Sequence, residues 1–210
     1  MRVISHLECE PIFRYSGIKF FVRQAVLEMG DGVFTVSRGV IKAGDGANVL
    51  PYFWDNGWKV VMVRQARVAP CVVTIEPPGG KIDYRDFEDE DGFTMPQEHV
   101  VKSSMAKELK EEVGIIVQPE KIILVFAEHY LPPLLEGVAW GGVVEINKSD
   151  LPASKMSRHL GQEHTEIAIF GFQDLIEKKE NEWRDSPVFD LWTSRLLDEV
   201  GKIIRAPRRS

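Results

Sequence analysis

Cysteine is scarce: Cys9 and Cys71 are the only two, and they form no CxxC pair. That argues against a zinc site or a disulfide framework and for reduced thiols. Long apolar runs are missing too. No stretch approaches the roughly 20 apolar residues of a membrane span, and MRVISHLECEPIFR has no uninterrupted apolar export segment. The expectation is a cytoplasmic protein with no membrane partner. Positive charge is short, with 26 Lys and Arg against 32 Asp and Glu for a formal net charge of −6. A general nucleic-acid surface needs clustered basic residues, so nucleic acid is not the expected partner. Small anionic substrates remain open to local arginines and metal ions. Internal repeats and low-complexity tracts are absent as well.

What is present is an ordinary globular composition, 44% hydrophobic and 28% charged, over 210 residues. This is long enough for one large domain, or for a domain with a small extension. Residues 12–41 alternate and turn around Gly30-Asp31-Gly32, which predicts two or three strands. Further strands are expected at Asn48–Phe53, Lys59–Val63, Val72–Ile75 and Lys121–Phe126. A strand is also expected after Pro132-Pro133, a polar loop over 148–162, and two C-terminal helices split near Ser186-Pro187. Phe189, Leu191, Trp192, Leu196, Leu197 and Val200 have helical spacing and read as core.

The chemistry concentrates between Glu76 and Ile115. EPPGGKID follows an apolar β-like run, and its glycine pair frees the backbone to approach a ligand closely. An acidic, turn-rich segment follows, and then SSMAKELKEEVGI. At about 100° per helical residue, Glu112 falls about 40° to one side of Glu108 and Glu111 about 60° to the other. The three carboxylates share a face beside an apolar stripe of Met105, Ala106, Leu109 and Val113. Each close like-charged pair costs roughly 0.2–0.5 kcal/mol, a cost that a hard divalent cation relieves. Taken alone, the same face also reads as a solvated helical surface.

Together these residues resemble the Nudix hydrolase family, whose box reads G-x(5)-E-x(7)-R-E-U-x-E-E-x-G-U with U aliphatic. Gly80 resembles its first glycine, and Lys107-Glu108-Leu109-Lys110-Glu111-Glu112-Val113-Gly114-Ile115 its second half, with Lys in place of Arg. Counting back from Lys107, the isolated Glu of the box falls on His99, with Glu98 one residue earlier. An insertion is therefore expected at about 83–98. The strand end VRQAR followed by EPPGGKID resembles the branch that acts on ADP-ribose and nucleoside diphosphate sugars.

The resemblance implies an α/β fold, a Nudix-type α/β/α sandwich with a mixed sheet over 46–210, preceded by a small N-terminal β-subdomain over 1–45 that builds a homodimer. It implies Mg²⁺, with Mn²⁺ as a substitute, held by Glu108, Glu112, Glu111 and the Gly79 carbonyl. The substrate would be contacted by Arg67, with Arg64 second, and by Glu76. The general base, four residues before the strand that starts at Ile167, would be Glu163, with Glu166 as runner-up and Glu111 as a further catalytic carboxylate. Glu136 and His164 remain open as lone loop residues. The implied activity is metal-dependent hydrolysis of the diphosphate bond of a nucleoside diphosphate sugar. Two alternatives stand beside it: a nucleotide-sugar sensor that binds without hydrolysis, and a generic α/β protein whose acidic helix is only solvated.

Overall fold

The computed structural model describes residues 2–8, 13–15, 18–29, 32–42, 44–67, 72–87, 97–129, 135–152, 157–160, 163–181 and 191–206. The chain is mixed α/β and divides into two compact units. One comprises Met1–Gly46 with Ala127–Ala139, the other Ala47–Phe126 with Trp140–Ser210. The first unit thus takes in Ala127–Ala139 besides the N-terminal segment.

In the first unit, β1 (Arg2–Glu8), β2 (Phe13–Tyr15), β3 (Ile18–Met29) and β4 (Gly32–Lys42) form a five-stranded sheet with a later short strand, Leu135–Glu136. β3 and β4 pair antiparallel from Lys19–Lys42 to Met29–Gly32, the reversal expected around Gly30-Asp31-Gly32. Leu135–Glu136 runs parallel to β4, with Glu136 opposite Lys42.

The second sheet has eight strands. They are β5 (Gly46–Trp54), β6 (Trp58–Arg67), β7 (Val72–Glu76), β8 (Gly79–Lys81), β9 (Ile123–His129), β11 (Val138–Glu145), β12 (Ser157–Leu160) and β13 (Glu163–Gly171), the Leu135–Glu136 strand of the other sheet being β10. Its main order is β12-β13-β6-β5-β11-β9, with β7 on β6 and β8 on β5. β5 is buried nearly throughout, as the near-continuous apolar run of a central strand requires. Its proline has a definite place. β5 pairs with β8 near Val49, whose N–H donates to Pro78 O at 2.9 Å, and with β6 at Tyr52–Trp54. Pro51, with no N–H to give, falls between the two ladders.

Strand alternation sorts the core into two layers. On one face Val61 and Val63 of β6 pack with Val101, Met105, Leu109 and Val113. On the other, Val60 and Met62 pack with Leu175 of α2 (Phe172–Asn181) and with Leu196, Leu197 and Val200 of α3 (Leu191–Arg205). The helix carrying Met105 is α1 (Gln97–Glu108), and it does not run on as an α-helix to Val113 as expected. Leu109–Val113 is a π-helical turn, closed where Gly114, at φ 71°, and Ile115 both donate to Leu109 O. The reason lies in the spacing of Val101, Met105, Leu109 and Val113. Steps of four drift by about 40° each on an α-helix, and a turn that holds more residues takes back that drift. All four side chains are fully buried.

Two other expectations change. Lys121–Phe126 is not all strand, because Pro119–Lys121 forms a 3₁₀ turn and β9 starts at Ile123. The polar loop over 148–162 contains β12, which pairs with β13 from Ser157–Glu166 to Leu160–Glu163. Four residues as polar as SRHL show no alternation, so their strand comes from pairing alone. Among the described residues no helix is long and apolar enough to cross a membrane. Leu109→Ala should lower stability by about 2–5 kcal/mol, measured as a fall in urea midpoint at unchanged m-value.

Candidate functional site

The glycine pair and the acidic helix meet. Gly79 N–H donates to Glu112 Oε2 at 2.9 Å, although the two residues are 33 apart in sequence. Glu112 is only 8% exposed. A Cβ on Gly80 would lie 2.6 Å from the Glu108 carboxyl carbon, and one on Gly79 would lie 2.7 Å from Ala47 O. Neither position tolerates a side chain without movement, so the pair is needed for close approach. Glu108 and Glu112 therefore converge on one loop, while Glu111 is half-buried and contributes to the field at Lys107. Glu108 closes α1 and Glu112 lies four residues on, in the π turn. Among the described residues, no three His, Cys, Asp or Glu side chains stand together as a ready metal-holding group.

Lys107 Nζ donates to Asp86 Oδ2 at 2.8 Å. Asp86 lies six residues after Gly80. His99 and Glu98, where the count back from Lys107 falls, lie on the first turn of α1, and Glu98 pairs with Lys102. Of the segment expected as an insertion at about 83–98, 88–96 lie outside the described residues. The Asp86 carboxylate beside Lys107 holds the ammonium above the ordinary lysine range, assisted by the charges of Glu111 and Glu108 and opposed by desolvation.

The loop before Asp86 is braced by charge as well. Arg85 donates to Asp83 through Nε at 2.9 Å, Nη2 at 2.6 Å and its backbone N–H at 3.2 Å. Those hydrogen bonds pull the Asp83 carboxyl down to about 2.

The substrate and base candidates lie on the sheet beside this helix. Glu76 ends β7 opposite Val63, and its carboxylate accepts the Thr74 hydroxyl. Arg64 sits between Ile75 on one side and Glu166 on the other. Arg64 and Glu166 have the parity of Val60, Met62 and Phe170, the face covered by α3, away from the carboxylate helix. Both are exposed. Arg67 shares the parity of Val61 and Val63 and ends β6, two residues past Gln65. Glu163 opens β13, two residues before Thr165, the partner of Gln65. Glu163 is thus a strand residue, where a loop was expected. Of Arg67, Glu163, His164 and Glu136 the backbone alone is described.

No protein-family model and no curated protein matches this chain.

Gly79→Ala meets backbone and Gly80→Ala a side chain that can rotate. The first should therefore cost about 1–3 kcal/mol and melt below the second, and equal melting temperatures would show that the Ala47 backbone yields. For Asp83, the folded pKa lies below the unfolded one, so its stabilisation is present above the unfolded value and is lost as pH falls toward about 2. An NMR titration of the Asp83 carboxyl should give a midpoint near that value, and Arg85→Ala should return it toward 3.8.

Proposed function

We propose that the protein hydrolyses the diphosphate bond of a nucleoside diphosphate sugar, ADP-ribose or an ADP-, UDP- or GDP-linked sugar. The products are a nucleoside monophosphate and a sugar phosphate. The reading rests on one observation above all: two carboxylates from one helix converge on one glycine pair, Glu112 through the Gly79 N–H and Glu108 against Gly80. The sequence resemblance to Nudix hydrolases supplies the chemistry for that arrangement.

The donor set suits a hard divalent cation, Mg²⁺ or Mn²⁺, which prefers oxygen ligands. Glu108, Glu112 and Glu111 would hold it, with the Gly79 carbonyl as a further oxygen. When bound, it supplies charge neutralisation on the diphosphate and acidifies the attacking water.

The remaining work falls to the chain. Arg67 has a guanidinium fork suited to two phosphate oxygens, and its strand parity favours it over Arg64. Glu163 removes the proton as the water oxygen bonds to phosphorus, and the bridging oxygen leaves with the other phosphate. Its position at the same sheet end as Arg67 favours it over Glu166, which stands opposite Arg64. Glu76, fixed by the Thr74 hydroxyl, can accept a hydrogen bond from a sugar hydroxyl. Lys107 and Asp86 hold the glycine loop against the helix end. The homodimer expected of this branch belongs to the same proposal.

Purified protein incubated with Mg²⁺ and a panel of nucleoside diphosphate sugars should release a nucleoside monophosphate and a sugar phosphate from at least one of them, identified by mass. Tight binding without release would replace the hydrolase by the sensor. Glu112→Gln keeps an acceptor for Gly79 N–H, so its melting temperature should hold while turnover falls by roughly a hundredfold or more. Full turnover in this variant would remove Glu112 from the machinery.

A further inference from the structure

A cavity of about 690 Å³ opens at the tip of the β5–β6 hairpin, against the start of α2 and the end of α3. Trp58 begins β6 and Arg67 ends it, nine residue steps apart. At about 3.3 Å per residue, the cavity lies roughly 30 Å along the sheet from the Arg67 end. No residue of the proposed hydrolytic site lines it.

The rim is a tryptophan that the fold leaves uncovered. Trp54 is 61% exposed and meets Trp58 edge to face, with ring centroids 5.4 Å apart at 81°. Trp58 in turn leans on the buried Tyr52 at 5.8 Å. The turn that carries Trp54 is held in place. Asp55 N–H donates to Gly57 O at 3.0 Å, Asn56 and Gly57 both take positive φ, and Lys148 pairs with Asp55 at 2.8 Å. The backbone that presents the exposed ring is thus held, the ring rests edge to face on Trp58, and the buried Phe172 and Leu197 line the same cavity.

The walls set the ligand class. Lys59 and Arg205 are matched by Asp174 and Asp198, so the lining carries no net charge and does not favour a phosphate dianion. Asn56 and Gln173 add amides, giving both donors and acceptors around an apolar floor. A hydroxyl both donates and accepts, and a sugar ring offers a C–H face to an aromatic platform and hydroxyls at its edge. The volume is within the range of small-ligand sites.

We propose that this cavity binds a neutral saccharide, stacked on Trp54 and hydrogen-bonded by Asp174, Asp198 and the two amides. The site is separate from the hydrolytic reading and does not depend on it.

The test titrates the full chain with neutral mono- and disaccharides and, in parallel, with adenosine and uridine, following tryptophan fluorescence. Saturable binding of a saccharide is expected, weakened about tenfold by Trp54→Ala and largely kept by Trp54→Phe, which retains an aromatic face. Thermal melts of both variants distinguish loss of the platform from loss of the hairpin. If Trp54→Ala unfolds the hairpin, Asp198→Asn, on the exposed side of α3, provides the second readout and should also weaken binding. No saturation by any saccharide, equal binding by a folded Trp54→Ala, or Trp54-dependent binding of nucleosides alone would each overturn the proposal.

Discussion

The approach of a glycine backbone to a buried carboxylate is the constraint from which the second unit takes its functional shape. Gly79 N–H reaches Glu112 only because neither Gly79 nor Gly80 carries a Cβ. A buried carboxylate is costly without donors, and here a main-chain N–H supplies one without adding a countercharge. That contact ties β8 to the π turn, and with it fixes where the end of α1 sits over the sheet. Leu109 and Val113 hold the same turn from the apolar side.

Electrostatics then stiffens the approach to the loop rather than its centre. Asp83 and Arg85 brace the turn before Asp86, and Lys107 closes it from the helix. Exposed pairs of this kind are worth little in stability, about 0–1 kcal/mol each. Their effect is geometric: they fix both ends of the path between Gly80 and the carboxylates, so the chain from Phe87 to Ala106 can be long without moving either end. Added chain between two fixed ends costs little extra closure entropy for its length.

Most strands of the second sheet were legible in the sequence, because they have β-branched or aromatic runs bounded by turn residues, whereas the polar β12 and the glycine-rich β8 have none. β5 and β6 were legible within a few residues, and so were α2 and α3. The carboxylate–glycine meeting was legible only through the family resemblance, since nothing local in Gly79 points to Glu112. Two features were hidden for physical reasons. A π turn leaves no mark in composition, since it differs from an α turn in how four-residue spacing is absorbed. The Lys107–Asp86 pair was hidden because it joins residues 21 apart in sequence across a turn-rich stretch. Strand pairing also separated Arg64 from Arg67 and Glu166 from Glu163, a distinction of parity that appears only once the residues are known to be strand.

Pro51 gives β5 a break in its hydrogen-bond ladder, between the stretch joined to β8 and the stretch joined to β6. Neighbouring ladder bonds normally reinforce one another, and a residue with no N–H interrupts that reinforcement. The interruption lies on the flank of β5 that faces β8 and β6, while β11 pairs along its other flank. One continuous strand therefore meets the glycine pair at one end and the tryptophan hairpin at the other through different partners on the same flank.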